Sequence, residues 1–416
     1  MKFEFIGNAA GIFHGSKGTK ILCDPWIENG VFEGSWFHYP PLKTKIKDLQ
    51  NVDAIYVSHL HPDHFDQRYF KFDKKIPIII LNEGPNFLKK NLLSLGYTNL
   101  IEIKNEETIK YREFDLTMFK PFVGHIFEES ILGNLIDSAL VLTDEGTSAI
   151  NFNDNTPDLK AVEKLSKKFK NIGLAMLNYN AAGPYPSCFD NLTDEEKKNE
   201  HKRILKRNFD HMCKLIPVLK PKTVLPFAGS YIIGGKNYNK NSYLGTTTWD
   251  ECRDYLIENC NFNSQFICMR ENQLYDIFQQ ELNSVYNEID KNHMQDYISQ
   301  IKNHKYDYEY DNQPDLEILR KDIDEASIKY KARIEKFNLK INSNVYFNIN
   351  NEKVKVMTGL DKNRELVCEM DNRLLRRILD RKSHWNNSEI GTHISYFRTP
   401  NKMDADLHTS LAFFHL

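Results

Sequence analysis

Within Ser58 to Asp66 (SHLHPDHFD), His59, His61, Asp63 and His64 place three imidazoles and a carboxylate in six positions. Neutral imidazole suits zinc, iron, copper or nickel, and an added carboxylate shifts the preference toward ions that activate oxygen or water. On an extended turn, side chains two apart point the same way, so His59 and His61 can reach one ion. Asp63 and His64 point elsewhere and can serve a second. Two half-sites of this kind suggest a dinuclear centre, with Asp63 and His64 as candidate catalytic groups. A turn of surface histidines is the competing reading, but a chance cluster of four ligands directly after a buried strand is improbable.

The elements that must position these residues follow from periodicity. The β-branched run Ala54 to Val57 is a strand that delivers the cluster, and Pro62 fixes the turn. Lys2 to Ile6, Thr19 to Cys23, Pro77 to Leu81 and Leu100 to Ile103 also read as strands, with a helix at Asn86 to Leu95. Strands dominate from Thr108 to Asn153. Gly173 to Asn180 is a buried strand, Thr193 and Glu196 form a capping box opening a helix toward Leu219, and Thr223 to Phe227 is the last core strand. Thr248 to Asn338 is charged and helical, most simply a solvated face. From Ser343 a hairpin turns at Asn350-Asn351, and a helix follows at Asn372 to Asp380. Pattern alone says only that the chain mixes α and β.

The run His59-x-His61-x-Asp63-His64 after a hydrophobic strand resembles the signature of the metallo-β-lactamase superfamily. The resemblance implies an αββα sandwich over 1–235, a helical insertion or cap over 236–340, and a small C-terminal α+β unit over 341–416. It also implies His125 as third histidine of the first site and Asp154 as bridging ligand. Further motifs run in one order: Asp24-Pro25-Trp26-Ile27, Tyr56 to His61, Asn178 to Pro186, Pro226-Phe227-Ala228-Gly229, Trp385, Ile390-Gly391 and Arg398-x-Pro400. That order resembles the metallo-β-lactamase-like region of the CMP-N-acetylneuraminate hydroxylases.

Two departures matter. None of the seven cysteines has a histidine two or three places on, so this sequence carries no Rieske Cys/His pair. Leu225 to Ser230, where many hydrolases of the superfamily place a last histidine, has none, and the second site rests on Asp63, His64 and Asp154.

Several residues outside the ligand set have two readings. Asp24 can accept the second N–H of a metal-bound histidine or serve as a turn aspartate. Asn178 and Tyr185 can line a substrate pocket because loops at strand ends carry function. Arg398 and His384 can grip an anionic substrate, or simply pack.

Composition bounds the rest. A chain of 416 residues exceeds one typical domain, and 41% hydrophobic residues suffice for a large core. Lysine and arginine total 55 against 57 acidic residues, so no basic field argues for nucleic acid. No apolar run spans a bilayer, no signal peptide is evident, and the scattered cysteines form no disulfide framework, so a cytoplasmic location is expected. The expected activity is that of a non-haem iron oxygenase hydroxylating an anionic, sugar-like or nucleotide-linked metabolite. It would use one or two metal ions, iron preferred and zinc or manganese possible, with electrons from a separate ferredoxin-like or reductase donor. The alternative is a hydrolase of a phosphoester, lactone or amide using metal-bound hydroxide.

Overall fold

The computed structural model describes residues 1–122 and 137–416. Two sheets face each other. The first has eight strands in the order β17-β16-β1-β2-β3-β5-β6-β7. These are β1 (Lys2–Gly7), β2 (Ala10–His14), β3 (Lys20–Cys23), β5 (Ala54–Tyr56), β6 (Ile78–Asn82), β7 (Leu100–Lys104), β16 (Leu274–Asp276) and β17 (Glu281–Leu282). The second has seven, in the order β15-β13-β12-β11-β10-β9-β8. It comprises β8 (Thr108–Tyr111), β9 (Phe114–Phe119), β10 (Ala139–Asp144), β11 (Thr147–Asn151), β12 (Ile172–Asn178), β13 (Thr223–Phe227) and β15 (Gln265–Phe266). Between them, β4 (Trp36–Phe37) and β14 (Ile232–Ile233) form a short ribbon.

Each sheet is half antiparallel meander and half parallel. β3, β5, β6 and β7 run parallel in the first, and β11, β12, β13 and β15 in the second. Alternation sets the inner face: Phe3 and Phe5 of β1 point inward with Tyr56, Leu140, Leu142, Leu174 and Met176. Outside the first sheet, helix α1 (Phe87–Ser94) buries Leu88 and Leu92. Outside the second lie α2 (Leu159–Lys168), α3 (Asp194–Leu219) and α4 (Trp249–Asn259), contributing Val162, Leu165, Met212, Leu215 and Leu256 to the core. This is an αββα sandwich, the metallo-β-lactamase fold. The Thr193/Glu196 capping box opens α3, and Lys220, in the left-handed region at φ 56°, closes it.

The sandwich does not end at 235. α4, β15, β16 and β17 complete both sheets, because Ile267, Cys268, Tyr275 and Ile277 belong to the main core. Strands of two or three residues among charged neighbours leave no periodicity to read. Nor does 236–340 form one insertion. α5 (Lys291–Ile301) packs Ile298 on Phe37, Tyr39 and Ile232, whereas α6 (Leu316–Lys336) buries Leu319, Ile323 and Tyr330 in the C-terminal core.

That C-terminal core is built on a four-stranded sheet: β18 (Asn344–Ile349), β19 (Glu352–Met357), β20 (Glu365–Glu369) and β21 (Ser395–Thr399), in the order β19-β18-β20-β21. Helices α7 (Asn372–Leu379), α8 (Trp385–Ile390) and α9 (Ala405–Ser410) complete it. The β18–β19 turn is at Asn350-Asn351, both left-handed. The unit is pinned to the sandwich by Trp36 Nε1 donating to the Ile390 carbonyl (3.2 Å), by Arg377 on Glu33 (3.2 Å), and by His393 Nε2 on the Phe32 carbonyl (2.9 Å).

His393 is buried, and burial pushes its pKa down to about 3. Burial likewise lowers His38 to about 3 and His384 and His408 to about 4. A depressed histidine stays neutral in the fold and protonates in the unfolded chain below about 6.5. Its contribution is whole above that pH and is lost progressively as pH falls toward 3, by up to about 1.4 kcal/mol per pH unit for one proton. The urea midpoint therefore drops between pH 7 and 5, and His393→Gln makes the drop shallower. An unchanged slope in H393Q would contradict this assignment.

Candidate metal centre

Among the described residues, each candidate ligand follows the carboxyl end of a strand with a parallel neighbour, the edge where such sheets place their sites. Asp24 follows β3, the His59 to His64 turn follows β5, and Asp154 follows β11. The turn is closed by the His64 and Phe65 amides donating to the His61 carbonyl at 3.0 and 2.8 Å. Asp24 and Asn153 sit at φ 40° and 50°, a region short polar side chains tolerate. Ala228 at φ 58° lacks that help, at a cost of roughly 1–2 kcal/mol. It and Gly229 turn the chain so that the Ser230 amide reaches Asn8 Oδ1 (3.0 Å).

The side chains converge as two sets of three. His59, His61 and Asp154 form one and Asp63, His64 and Asp154 the other, with the ligand atoms of each within 4.8 Å of one another. His59 Nε2 is 3.0 Å from His61 Nδ1 and 4.0 Å from Asp154 Oδ2. His64 Nε2 is 3.4 Å from both Asp63 Oδ2 and Asp154 Oδ2. Donors each about 2.1 Å from one ion stand about 3.0–3.4 Å apart at octahedral or tetrahedral angles. His64 Nε2 is also fully buried with no hydrogen-bond partner, between two carboxylates, where a cation satisfies it. The residues present fit a metal pair sharing Asp154.

A second ring of groups holds the ligands. Asp24 Oδ2 lies 3.1 Å from His64 Nδ1, while its Oδ1 accepts the Ser58 amide (2.7 Å). Asp137 Oδ1 lies 3.5 Å and Ser58 Oγ 3.0 Å from His59 Nδ1. His61 Nε2 meets Asn386 Oδ1 of the C-terminal unit at 2.9 Å. Asn178 Nδ2 donates to Asp154 Oδ1 (3.0 Å), and Asn8 Nδ2 to Asp63 Oδ2 (3.2 Å). Acceptors on the outer nitrogens of ligating histidines fix their orientation and raise their basicity.

Electrostatics point the same way. Burial pushes Asp24 up, opposed by His64, and burial with Asp154 pushes Asp137 well up. Burial disfavours charge on His64, but Asp63, Asp154 and Asp24 outweigh it and raise its pKa well above the usual value. Burial raises Asp154 as well, but the His64 charge prevails and lowers it. In the metal-free state the proton on His64 balances the carboxylates, and a metal displaces it.

The other sequence-based candidates divide. His125 lies outside the described residues. His384 is half-buried and, with His61, Asn386, Gln67 and Phe87, lines a cavity of about 620 Å³ that opens beside the first ligand set. Asn178 stands beside the ligand sets, its Nδ2 donating to Asp154 Oδ1. Tyr185 and Arg398 face each other: the guanidinium lies 5.4 Å from the Tyr185 ring and 4.5 Å from Phe189, and it donates to Asn401. Sequence reasoning missed Ser58, Asp137, Asn8 and Asn386. Ser58 stands inside the motif and was legible there, whereas Asn386 is 325 residues from its partner and carries no local signal.

Fold and ligand pattern together define a protein of the metallo-β-lactamase fold. By sequence it is similar to a putative Rieske 2Fe-2S iron-sulfur protein of Mycolicibacterium smegmatis, 33% identical over 196 residues, 46% of this chain and 36% of that one. It is also similar to the cytidine monophosphate-N-acetylneuraminic acid hydroxylase of Danio rerio, 25% identical over 224 residues, 51% of this chain and 35% of that one. The matches thus span little more than a third of these curated relatives. Among solved structures, the isothiocyanate hydrolase from Delia radicum gut bacteria aligns with a TM-score of 0.46 at 19% identity, covering 66% of this chain and 99% of that one. The diiron β-hydroxylase CmlA of Streptomyces venezuelae aligns with a TM-score of 0.44 at 14% identity, covering 65% and 53%. No family model matches the chain.

Asp24→Asn and Asn386→Ala are each expected to weaken metal binding by roughly 10–100-fold with the fold intact, measured by chelator competition and circular dichroism. Asp154→Asn is expected to weaken both ions and Asp63→Asn only one. Equal metal retention in D154N and wild type would contradict the shared ligand.

Proposed function

We propose that this chain is a dinuclear-metal oxygenase hydroxylating an anionic, sugar-like or nucleotide-linked metabolite. The observation that carries the reading is its sequence similarity, over about half its length, to a nucleotide-sugar hydroxylase and to putative Rieske iron-sulfur proteins, all named for redox chemistry. Carboxylate-rich ligand sets of this kind suit iron.

Within that reading His59, His61 and Asp154 hold one ion, and Asp63, His64 and Asp154 the other. An iron pair would supply the redox capacity to activate oxygen, whereas zinc would supply an acidified water. The protein's own part is positioning: Asp24, Asp137, Ser58 and Asn386 orient the three imidazoles, and Asn178 and Asn8 the two carboxylates. The cavity beside His61 has the size of a small-metabolite site and is where the substrate approaches. Where Asp63 and His64 hold no second ion, they would instead act in proton transfer. Electrons would come from a ferredoxin-like or reductase donor.

A hydrolase of a phosphoester, lactone or amide is the second reading. It is supported by the absence of a Rieske Cys/His pair from this sequence and weakened by the lack of a last histidine in Leu225 to Ser230.

The test is oxygen uptake by anaerobically iron-loaded protein given a reductant, ferredoxin and CMP-linked or free sialic acids. Substrate-dependent uptake, lost in His61→Ala, is expected. Metal-dependent turnover of ester or lactone substrates without oxygen or reductant would overturn the oxygenase in favour of the hydrolase.

A further inference from the structure

Alone among the arginines of the described residues, Arg270 makes no side-chain hydrogen bond and no ion pair. Its Nη1 is buried without a partner. Arg270 lines a cavity of about 220 Å³ together with Lys43, His38, Asn8 and Ser230. The carboxylate in that wall, Glu271, is already engaged, since its oxygens accept the Lys43 and Thr44 amides at 2.6–3.0 Å. His38 is 2% exposed, its ring is stacked on Trp26, and its Nε2 also lacks a partner. At two other cavities the cations are engaged: Arg381 donates to the Leu416 carbonyl (3.0 Å), and Lys291 pairs with Glu251 (2.5 Å).

A guanidinium offers a planar fork of donors matched to carboxylate and phosphate oxygens, and a partly desolvated one without a counter-ion is a poor arrangement unless an anion completes it. The wall is also wired to the metal centre. Asn8 donates to Asp63 Oδ2 and accepts the Ser230 amide, so one residue separates the cavity from a candidate ligand.

We propose that this cavity is an oxyanion-binding site, distinct from the metal centre, in which a phosphate or carboxylate group sits on Arg270 with Lys43 adding positive charge. The oxyanion is a free ion or a substituent of a nucleotide or sugar acid, and the chemistry of recognition is the same. Because the site is separate from the ligand sets, its occupancy does not depend on which reaction the metals perform.

Sulfate, a weak ligand for these metals, is the probe. Titrated calorimetrically into metal-loaded protein at low ionic strength, it is expected to bind at one equivalent per chain. Arg270→Gln should weaken it at least about tenfold, with Arg270→Lys intermediate and Lys382→Gln unchanged. Thermal melts check that each variant folds. Displacement of the sulfate by cytidine monophosphate would identify a nucleotide substituent as the source, and displacement by inorganic phosphate alone a free ion. Absence of saturable sulfate binding, or R270Q binding as tightly as wild type, would overturn the proposal.

Discussion

Four carboxylates, Asp24, Asp63, Asp137 and Asp154, converge on His59, His61 and His64, and this excess of negative charge beneath the surface is what the rest of the structure must answer. Charges removed from water need a counter-charge, and the metal-free protein answers with a raised pKa at His64 and with burial that pushes Asp24 and Asp137 toward their neutral forms. A divalent pair answers the same need better, because His64 Nε2 and two carboxylate oxygens already stand at coordination spacing. Asp154 carries the arrangement, since it belongs to both ligand sets.

The two-sheet architecture makes this convergence possible. β3 and β5 bring Asp24 and the histidine turn from one sheet, and β11 and β12 bring Asp154 and Asn178 from the other, all at the carboxyl ends of parallel strands. The tight inner core of the sandwich fixes how far apart those ends stand. The C-terminal unit then closes one side: Asn386 reaches His61, and α8 and its neighbours wall the adjacent cavity. The unit is therefore part of the centre, not an appendage, and its His393 and Trp36 contacts with the sandwich keep Asn386 in place.

Much of this was legible in the sequence where the signal is local. Four of the six expected ligands lie in one turn after a strand, Asp154 comes three residues after the buried strand β11, and the α3 capping box and the Asn350-Asn351 hairpin are short-range chemistry. Legibility failed where partners are distant or elements short. β15 to β17 are too brief to show a period, so the sandwich seemed to end at 235. α6 joins the C-terminal core through long-range burial of Leu319 and Tyr330 that an amphipathic stripe does not assign to one partner. The charge of Arg398 is visible in the sequence, whereas its stacking on Phe189 is not.

The central claim, two ions joined by Asp154, is tested most directly by magnetic spectroscopy of the anaerobically loaded protein. Ferrous iron titrated to saturation and followed by Mössbauer and integer-spin EPR should give two irons per chain with a coupled signal. One iron at saturation, or two irons that behave as isolated centres, would contradict the account.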